Sequence, residues 1–389
     1  MECDVIIVGG GPAGLAFARS LDDAGLDVVI VERQPEAALA EPAFDGREIA
    51  LTQHSIRLLK GLGAWDFLKP EDVAPLRKAR VLNGASPFAL TFDPGDAPEG
   101  ELGMLVPNHR IRASLYDALA GQAGVRLLAG RGVTRAEARR DAAEVELDNG
   151  ETLRGRLLVA ADSRFSFIRD QLGISAEINR LQRSMMVVRV RHERDHQGIA
   201  TEWFDHHQTF AMLPLNGNQS SAVLTLPAQA MEAVAALDDA ALGAELTRRY
   251  SARLGRLEVA SSHHVYPLAT TWSRHFAATR AALIGDAAVG MHPVTAHGFN
   301  LGLSGQAILA AEVREAKRRG RDIGGTGLLR RFERAHRTAS WPLYAGTNLI
   351  VRVYTDESMP ARVIRHAGLR LGARLPLVRK SVRTMLMAR

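Results

Sequence analysis

The chain has 389 residues, 46% of them hydrophobic and 24% charged, enough apolar sequence for a large core and too much for wholesale disorder. Its formal charge of +6 rests almost entirely on arginine, with lysine only at 60, 69, 78, 317 and 380. Without a zinc spacing, an RNA-binding aromatic signature or a basic low-complexity tail, that charge does not point to nucleic acid.

Glu2 and Asp4 stand where a secretory signal would carry positive charge, and no run approaches the roughly 18 apolar residues of a spanning helix. Cys3 is the only cysteine, so no intramolecular disulfide can form, and a reducing, cytoplasmic setting is expected. Val5-Ile6-Ile7-Val8 reads as a strand buried on both faces. Pro12 to Ala24 follows with helical spacing, Gly25 stops it, and Val28-Val29-Ile30-Val31 is a second buried strand. Together they make one right-handed βαβ unit.

A helix is expected around Ser55–Leu62, ending at Gly63, and another from Ile111 to Leu119. Between them, from about 76 to 106, short strand-like runs are broken by Asn83-Gly84, Pro94-Gly95 and Pro98. Val125–Leu128 and Glu144–Leu147 read as strands, with a hairpin turn at Asn149-Gly150, and Leu157–Ala161 as a further buried strand. From about 179 to 267 polar and apolar residues alternate, with a helix near 228–253. This reads as an antiparallel sheet inserted into the first domain. Ala281–Ile284 returns to buried-strand texture, and a long helix is expected over 298–318.

Gly9, Gly11 and Gly14 fit G-x-G-x-x-G between a strand and a helix, and Glu32 ends the next strand. The first glycine permits the turn, the second lets backbone approach a pyrophosphate, and the third lets the helix pack on the strand. Pro12 and Ala13 open the helix, whose free N–H groups face the phosphates. Glu32 is placed to accept from a ribose diol. A dinucleotide is the expected ligand.

A second signal follows far downstream: Ala282-Leu283-Ile284-Gly285-Asp286-Ala287-Ala288, then His292-Pro293, then Gly298-Phe299-Asn300-Leu301-Gly302. A third, Ala161-Asp162-Ser163-Arg164, stands between the two. With these three in order the chain resembles the FAD-dependent aromatic-ring hydroxylases, most of all the ubiquinone-biosynthesis hydroxylase family. The resemblance implies an α/β fold of the glutathione-reductase type, with a Rossmann βαβ unit and an inserted, mostly antiparallel substrate domain. The FAD domain would comprise 1–75, 103–178 and 268–345, the substrate domain 76–102 and 179–267, and basic C-terminal helices 346–389. It also implies FAD as cofactor and NAD(P)H as co-substrate. Without a second glycine fingerprint, NAD(P)H would bind in a surface groove.

Carried over residue by residue, the resemblance places Asp286 on the ribityl or ribose–phosphate part of FAD, and Pro293, Gly298, Phe299 and Asn300 at the isoalloxazine. Asp162 falls in the fingerprint that touches both FAD and the nicotinamide, Arg47 and Arg112 fall at flavin-contacting arginines, and Arg33 and Val133 join the same set. The reaction implied is hydroxylation of a phenolic ring by O2 through a flavin C4a-hydroperoxide, on a polyprenylated phenol or quinol of ubiquinone biosynthesis. A soluble phenolic metabolite as substrate and a non-catalytic flavoprotein scaffold in a biosynthetic complex stay open as alternatives. His292 and His297 are candidates for proton transfer, and Phe210, Met212 and Leu213 for the substrate-pocket wall. Ser163, Val289, Ala296-His297 and Gln306 depart from the family pattern.

His206-His207 and His263-His264 lack metal-ligand spacing, and no metal is expected. After Glu357 there is no acidic residue, while Arg362, Arg365, Arg370, Arg374, Arg379, Lys380 and Arg383 recur beside an apolar stripe. That pattern suits peripheral contact with an anionic inner-membrane face, or equally helices packed on the FAD domain with a solvated arginine face.

Overall fold

The β-branched run at the N-terminus forms β1 (Glu2–Val8), and the run after Gly25 forms β2 (Val28–Glu32), its parallel neighbour. Both are buried through their centres, as strands covered on two faces must be. Between them α1 (Pro12–Ser20) starts on a proline, whose missing N–H has no helical partner to lose. The computed structural model describes residues 1–84, 86, 89–95, 100–205, 208–292 and 297–355.

The first sheet runs β18 (Ala277–Ala278), β19 (Ala281–Leu283), β11 (Thr152–Ala160), β1, β2, β8 (Val125–Ala129). The hairpin partner β10 (Ala143–Leu147) pairs with β11 and with β9 (Val133–Ala138). Helices α8 (Gly298–Arg318), α4 (Asn108–Leu119) and α2 (Ala37–Ala40) gather around α1, directly or through α4. α9 (Thr326–Thr355) lies against α8.

A small sheet of β3 (Glu48–Thr52), β7 (Gly103–Pro107) and β4 (Ala74–Leu76), with α3 (Gln53–Gly61), sits beside this core. The Thr52 hydroxyl caps α3 by accepting from the Ser55 N–H at 3.2 Å. The short α5 (Phe167–Gln171) follows β11, capped in the same way by Ser166.

The third sheet runs β20 (Val289–Gly290), β17 (His264–Ser273), β12 (Ala176–His192), β15 (Gln219–Pro227), β14 (Gln208–Pro214), β13 (Ile199–Asp205), β5 (Lys78–Asn83), β6 (Ala89–Phe92). β16 (Leu257–Val259) pairs with β12. The segment around 76–102 thus contributes strands here as well as β4 to the small sheet. The boundaries expected near 179 and 267 fall inside β12 and β17, which run without interruption between the two regions. Residues 346–355 continue α9, and 356–389, with the basic C-terminal stripe, lie outside the described residues.

Alternation divides this third sheet into two faces. Met186, Val188, Val190, Trp203, Phe210, Met212, Ala222 and Leu224 form a core with Met231, Leu242 and Leu246 of α6 (Ala228–Ala235) and α7 (Asp239–Arg249). Met185 and Val187 belong to the other face, which looks toward residues 45–48: a Cβ on Gly46 would touch Val187, and Arg189 pairs with Glu48. The expectation that Phe210 and Met212 wall the substrate pocket is therefore corrected. They point into the helix layer, and of the three only Leu213 lies on the inner face. A period of two assigns faces in pairs but does not say which face a helix will cover.

Candidate functional site

The turn from β1 into α1 is shaped by what its glycines approach. Gly9 has φ +115°, and a Cβ there would lie 2.4 Å from the Ala161 carbonyl oxygen. At Gly14 a Cβ would lie 2.0 Å from the Gly9 carbonyl oxygen. A Cβ on Gly11, by contrast, would meet nothing within 4 Å. The turn is closed by its own fold at 9 and 14 and open to a ligand at 11, the cradle a pyrophosphate requires. The Gly10 N–H donates to Glu32 Oε2 at 2.6 Å, and the Gln34 N–H to Oε1 at 2.8 Å. This holds the Glu32 carboxylate beside the turn with lone pairs to spare for a diol.

The second and third fingerprints come to the same place. A Cβ on Gly285 would be 3.0 Å from the Ala13 methyl, and one on Gly302 would be 3.3 Å from the Gly285 Cα. Strand end and α8 are thus stacked backbone to backbone, with only the Ala13 methyl between the strand end and α1. Arg164 donates to Asp286 Oδ2 at 2.9 Å, joining the two fingerprints by a half-buried ion pair. Asp162 adjoins the Gly9 turn; burial raises its pKa above the usual range, and its Oδ1 finds no hydrogen-bond partner among the described residues. Ser163 does not adopt a positive φ, so serine where the family has glycine carries no backbone strain.

Around the opposite rim, Arg112 of α4 donates to Gln34 Oε1 at 2.9 Å, with Glu32, Asp45 and Arg47 in its field. Asp45 accepts from Arg47 Nη2 at 2.6 Å and from Asn108 Nδ2 at 2.7 Å, and these partners hold its pKa below the ordinary value against the pull of burial. Arg47 also lies over the Tyr266 ring at 5.5 Å. The backbone of Arg131 bonds to Glu32 O at 2.9 Å, which brings the start of β9, and Val133 with it, to the end of β2. Arg33 is exposed beside Glu32.

α8 begins at Gly298 with no side-chain cap, and its N-terminus carries the positive end of the helix dipole. The Asn300 amide reaches back instead, accepting from the Thr52 N–H at 3.0 Å and donating to Ala50 O at 2.9 Å. Its side chain anchors this helix start to β3. Phe299 is half-buried. His292 is buried, and burial together with the Arg183 charge pushes it down to about 4, so it is uncharged at neutral pH. His297 is buried at the N-cap of α8. Pro293, the rest of the loop through Ala296, and the pair His206-His207 lie outside the described residues.

Other features resolve into structure. His264 accepts or donates at the Ser262 hydroxyl and packs edge-on against Phe44. No cluster of metal-ligating side chains exists among the described residues. Burial pushes the Cys3 thiol up to about 11, which removes thiolate reactivity. Buried Gln306 accepts from the Ser20 hydroxyl at 2.9 Å, a helix-to-helix contact.

Residues 2–339 match the family described as FAD binding domain. The chain is 42% identical to a ubiquinone hydroxylase, UbiM, of Neisseria meningitidis, over 98% of its own length and 84% of that protein. It is 34% identical to a ubiquinone hydroxylase, UbiL, of Rhodospirillum rubrum, over 94% and 85% of the two chains. Among solved structures, Klebsiella pneumoniae HpxO complexed with FAD and uric acid superposes with a TM-score of 0.75, covering 100% of this chain and 97% of that one. At 19% identity this likeness speaks for the fold alone.

Proposed function

The chain belongs to the FAD-binding-domain family of flavoprotein oxidoreductases, and from that premise we propose that it hydroxylates the aromatic ring of a ubiquinone-pathway intermediate. One observation carries the cofactor part of this reading: the open Gly11 cradle lies on the same α1 that Gly285 abuts, beside the Asp286–Arg164 pair. An extended, doubly phosphorylated ligand can touch all three only where the chain has brought them together.

In this reading Gly9–Gly14 and the α1 N-terminus hold the pyrophosphate of FAD, and Glu32 a ribose, with Arg33, Arg112 and Val133 on the same side. Asp286 and Asp162 take the middle of the cofactor, and Gly298 and Phe299 its far end, with Asn300 anchoring the helix they open. Pro293, outside the described residues, belongs to the same set. Bound FAD supplies the redox chemistry, by which NAD(P)H + H⁺ + O2 + Ar–H become NAD(P)⁺ + H2O + Ar–OH. The protein's part is to bind and orient both partners, exclude water, and offer α8 N–H groups to developing negative charge. His292, uncharged in its buried position, can exchange a hydrogen bond there but does not serve as a standing cation.

Contact with a membrane, or with a biosynthetic complex at its inner face, is part of the same proposal. It is supported by Trp341 and Leu349, exposed on α9 just ahead of the basic C-terminal sequence. Among the described residues no helix is long and apolar enough to cross a bilayer. Liposome co-sedimentation that ignores deletion of 358–389 would refute a role for the basic C-terminal sequence, and no co-sedimentation of the full chain would refute membrane contact. Metabolite profiling of a deletion strain tests the whole: an accumulating prenylated phenol lacking one ring hydroxyl is expected. Unchanged ubiquinone with an accumulating soluble phenol would assign the enzyme to other chemistry.

A further inference from the structure

Arg164 stands two residues past Asp162, in the loop between β11 and α5, and it is fastened before its guanidinium reaches a carboxylate. Its carbonyl oxygen accepts from Nη1 of the buried Arg169 at 3.1 Å and from the Thr271 hydroxyl at 3.2 Å. Its Nη1 donates to Ala269 O, on β17, at 3.0 Å, and its Nη2 to Asp286 Oδ2 at 2.9 Å. The loop that carries Asp286 is held by the same neighbours: Ala287 O accepts from the Ser273 hydroxyl at 2.8 Å and from Arg169 Nη1 at 3.4 Å. A planar guanidinium with one arm on backbone has little freedom left in the other, so Asp286 meets a donor of fixed direction.

Both loops touch the glycine turn. A Cβ at Gly9 would lie 2.9 Å from the Asp162 nitrogen, and one at Gly285, next to Asp286, would lie 3.0 Å from the Ala13 methyl. The Asp286 carboxylate is 39% exposed, and its Oδ1 accepts from no described residue. One oxygen is committed to Arg164 and the other is left for a ligand. A carboxylate only accepts, so the part of a dinucleotide it can meet is a hydroxyl and not a phosphate. A half-exposed side chain with no partner would sample several rotamers, and ordering it on binding would cost affinity.

We propose that Arg164 is a positioning residue for the cofactor, fixing the Asp286 carboxylate so that its second oxygen accepts from a ribityl hydroxyl of FAD. The assignment rests on the placement of Asp286 at the middle of FAD given above, and adds to it the residue that aims the carboxylate. Arg164 acts through Asp286 and not on the flavin. Its tie to Ala269 O makes the strand β17 part of the same support.

The test titrates the full-length apoprotein with FAD and with ADP, which carries the adenosine and pyrophosphate but no ribityl chain. Arg164→Met is expected to weaken FAD by roughly 10-fold or more, the scale of a hydrogen bond to a charged group. ADP should change by less than about 3-fold, because salt screens a half-exposed charge. Arg164→Lys, which keeps a donor and the charge, should recover part of the FAD affinity. Asp286→Ala should weaken FAD by itself, and adding Arg164→Met to it should cost less than about a further 2-fold, the mark of two residues acting as one. Wild-type FAD affinity in Arg164→Met, or an equal loss of ADP, overturns the assignment. So does a full additional loss in the Asp286→Ala background, which would put Arg164 on the flavin itself. Asp286→Ala with wild-type FAD affinity would instead remove Asp286 from the cofactor reading, and this assignment with it.

Discussion

Gly9 and Gly11 lie two positions apart and would suffer opposite fates under the same substitution. Alanine at 9 must accept φ +115° and a Cβ 2.4 Å from backbone oxygen, so Gly9→Ala should melt well below wild type. Alanine at 11 meets nothing within 4 Å, so Gly11→Ala apoprotein should melt with wild type yet hold FAD at least about 10-fold more weakly. Thermal melting of the two apoproteins and flavin retention on desalting separate these outcomes; a Gly11→Ala protein with wild-type retention would remove the cradle. His292 makes a different kind of residue-scale statement. Because burial holds it near 4, His292→Gln should change the coupling of NAD(P)H oxidation to hydroxylation without shifting any inflection between pH 6 and 9. An inflection lost in the variant would show that the imidazole titrates during turnover after all.

At the scale of elements, α8 and α9 meet through a glycine and a ring. A Cβ at Gly305 would lie 2.5 Å from the His336 imidazole, which is fully buried between Phe276 and Phe332 and bonded through Nδ1 to the Ser340 hydroxyl at 3.2 Å. Gly305→Ala should therefore lower stability by about 1–3 kcal/mol, the usual consequence of overpacking, and Gly305→Ala/His336→Ala should recover part of it. Burial pushes His336 down to about 4, below the 6.5 of an unfolded histidine. The unfolded chain then binds a proton that the native chain refuses, so stability is full above about pH 6.5 and falls as pH drops toward 4. The loss is on the order of 2–3 kcal/mol. Denaturant melts at pH 7 and 5 should show this slope in wild type and a flatter one in His336→Phe. The elements themselves were readable where one property dominated. The buried strands at Val5–Val8, Val28–Val31 and Ala281–Ile284, the helix over 298–318 and the Asn149-Gly150 hairpin stand where their sequences place them. β3 did not announce itself, because its five residues carry too short an alternation ahead of a stronger helical signal.

For the whole molecule, the ion pair between Glu48 and Arg189 is the described link that best reports on domain docking. The Glu48 side chain is fully buried, and burial raises its pKa to about 7 although Arg189 pulls the other way. A carboxyl raised above its unfolded value favours the folded state when protonated, so this contribution declines as pH rises from about 4.5 through 7. Arg189→Met removes the cation and strands the carboxylate. It should cost about 2–4 kcal/mol at pH 8 and clearly less at pH 6, and adding Glu48→Gln should restore most of the loss. Equal penalties at the two pH values would mean that water reaches Glu48 freely.

Local chemistry was sufficient for the strand, glycine turn and helix at the N-terminus, for Glu32 at the end of the next strand and for the antiparallel sheet further on, because each is a matter of neighbouring residues and their spacing. Which face of the third sheet the helices cover was settled only in three dimensions. A period of two is symmetric between faces, and α6 and α7 happen to shield Phe210 and Met212 while Val187 and Arg189, on the other face, meet residues 45–48. The ties of Asn300 to β3 and of Arg164 to Asp286 likewise join residues far apart in the chain, and no local pattern encodes such a distance. Sequence chose the residues of the glycine turn; packing chose which face of the third sheet the helices cover.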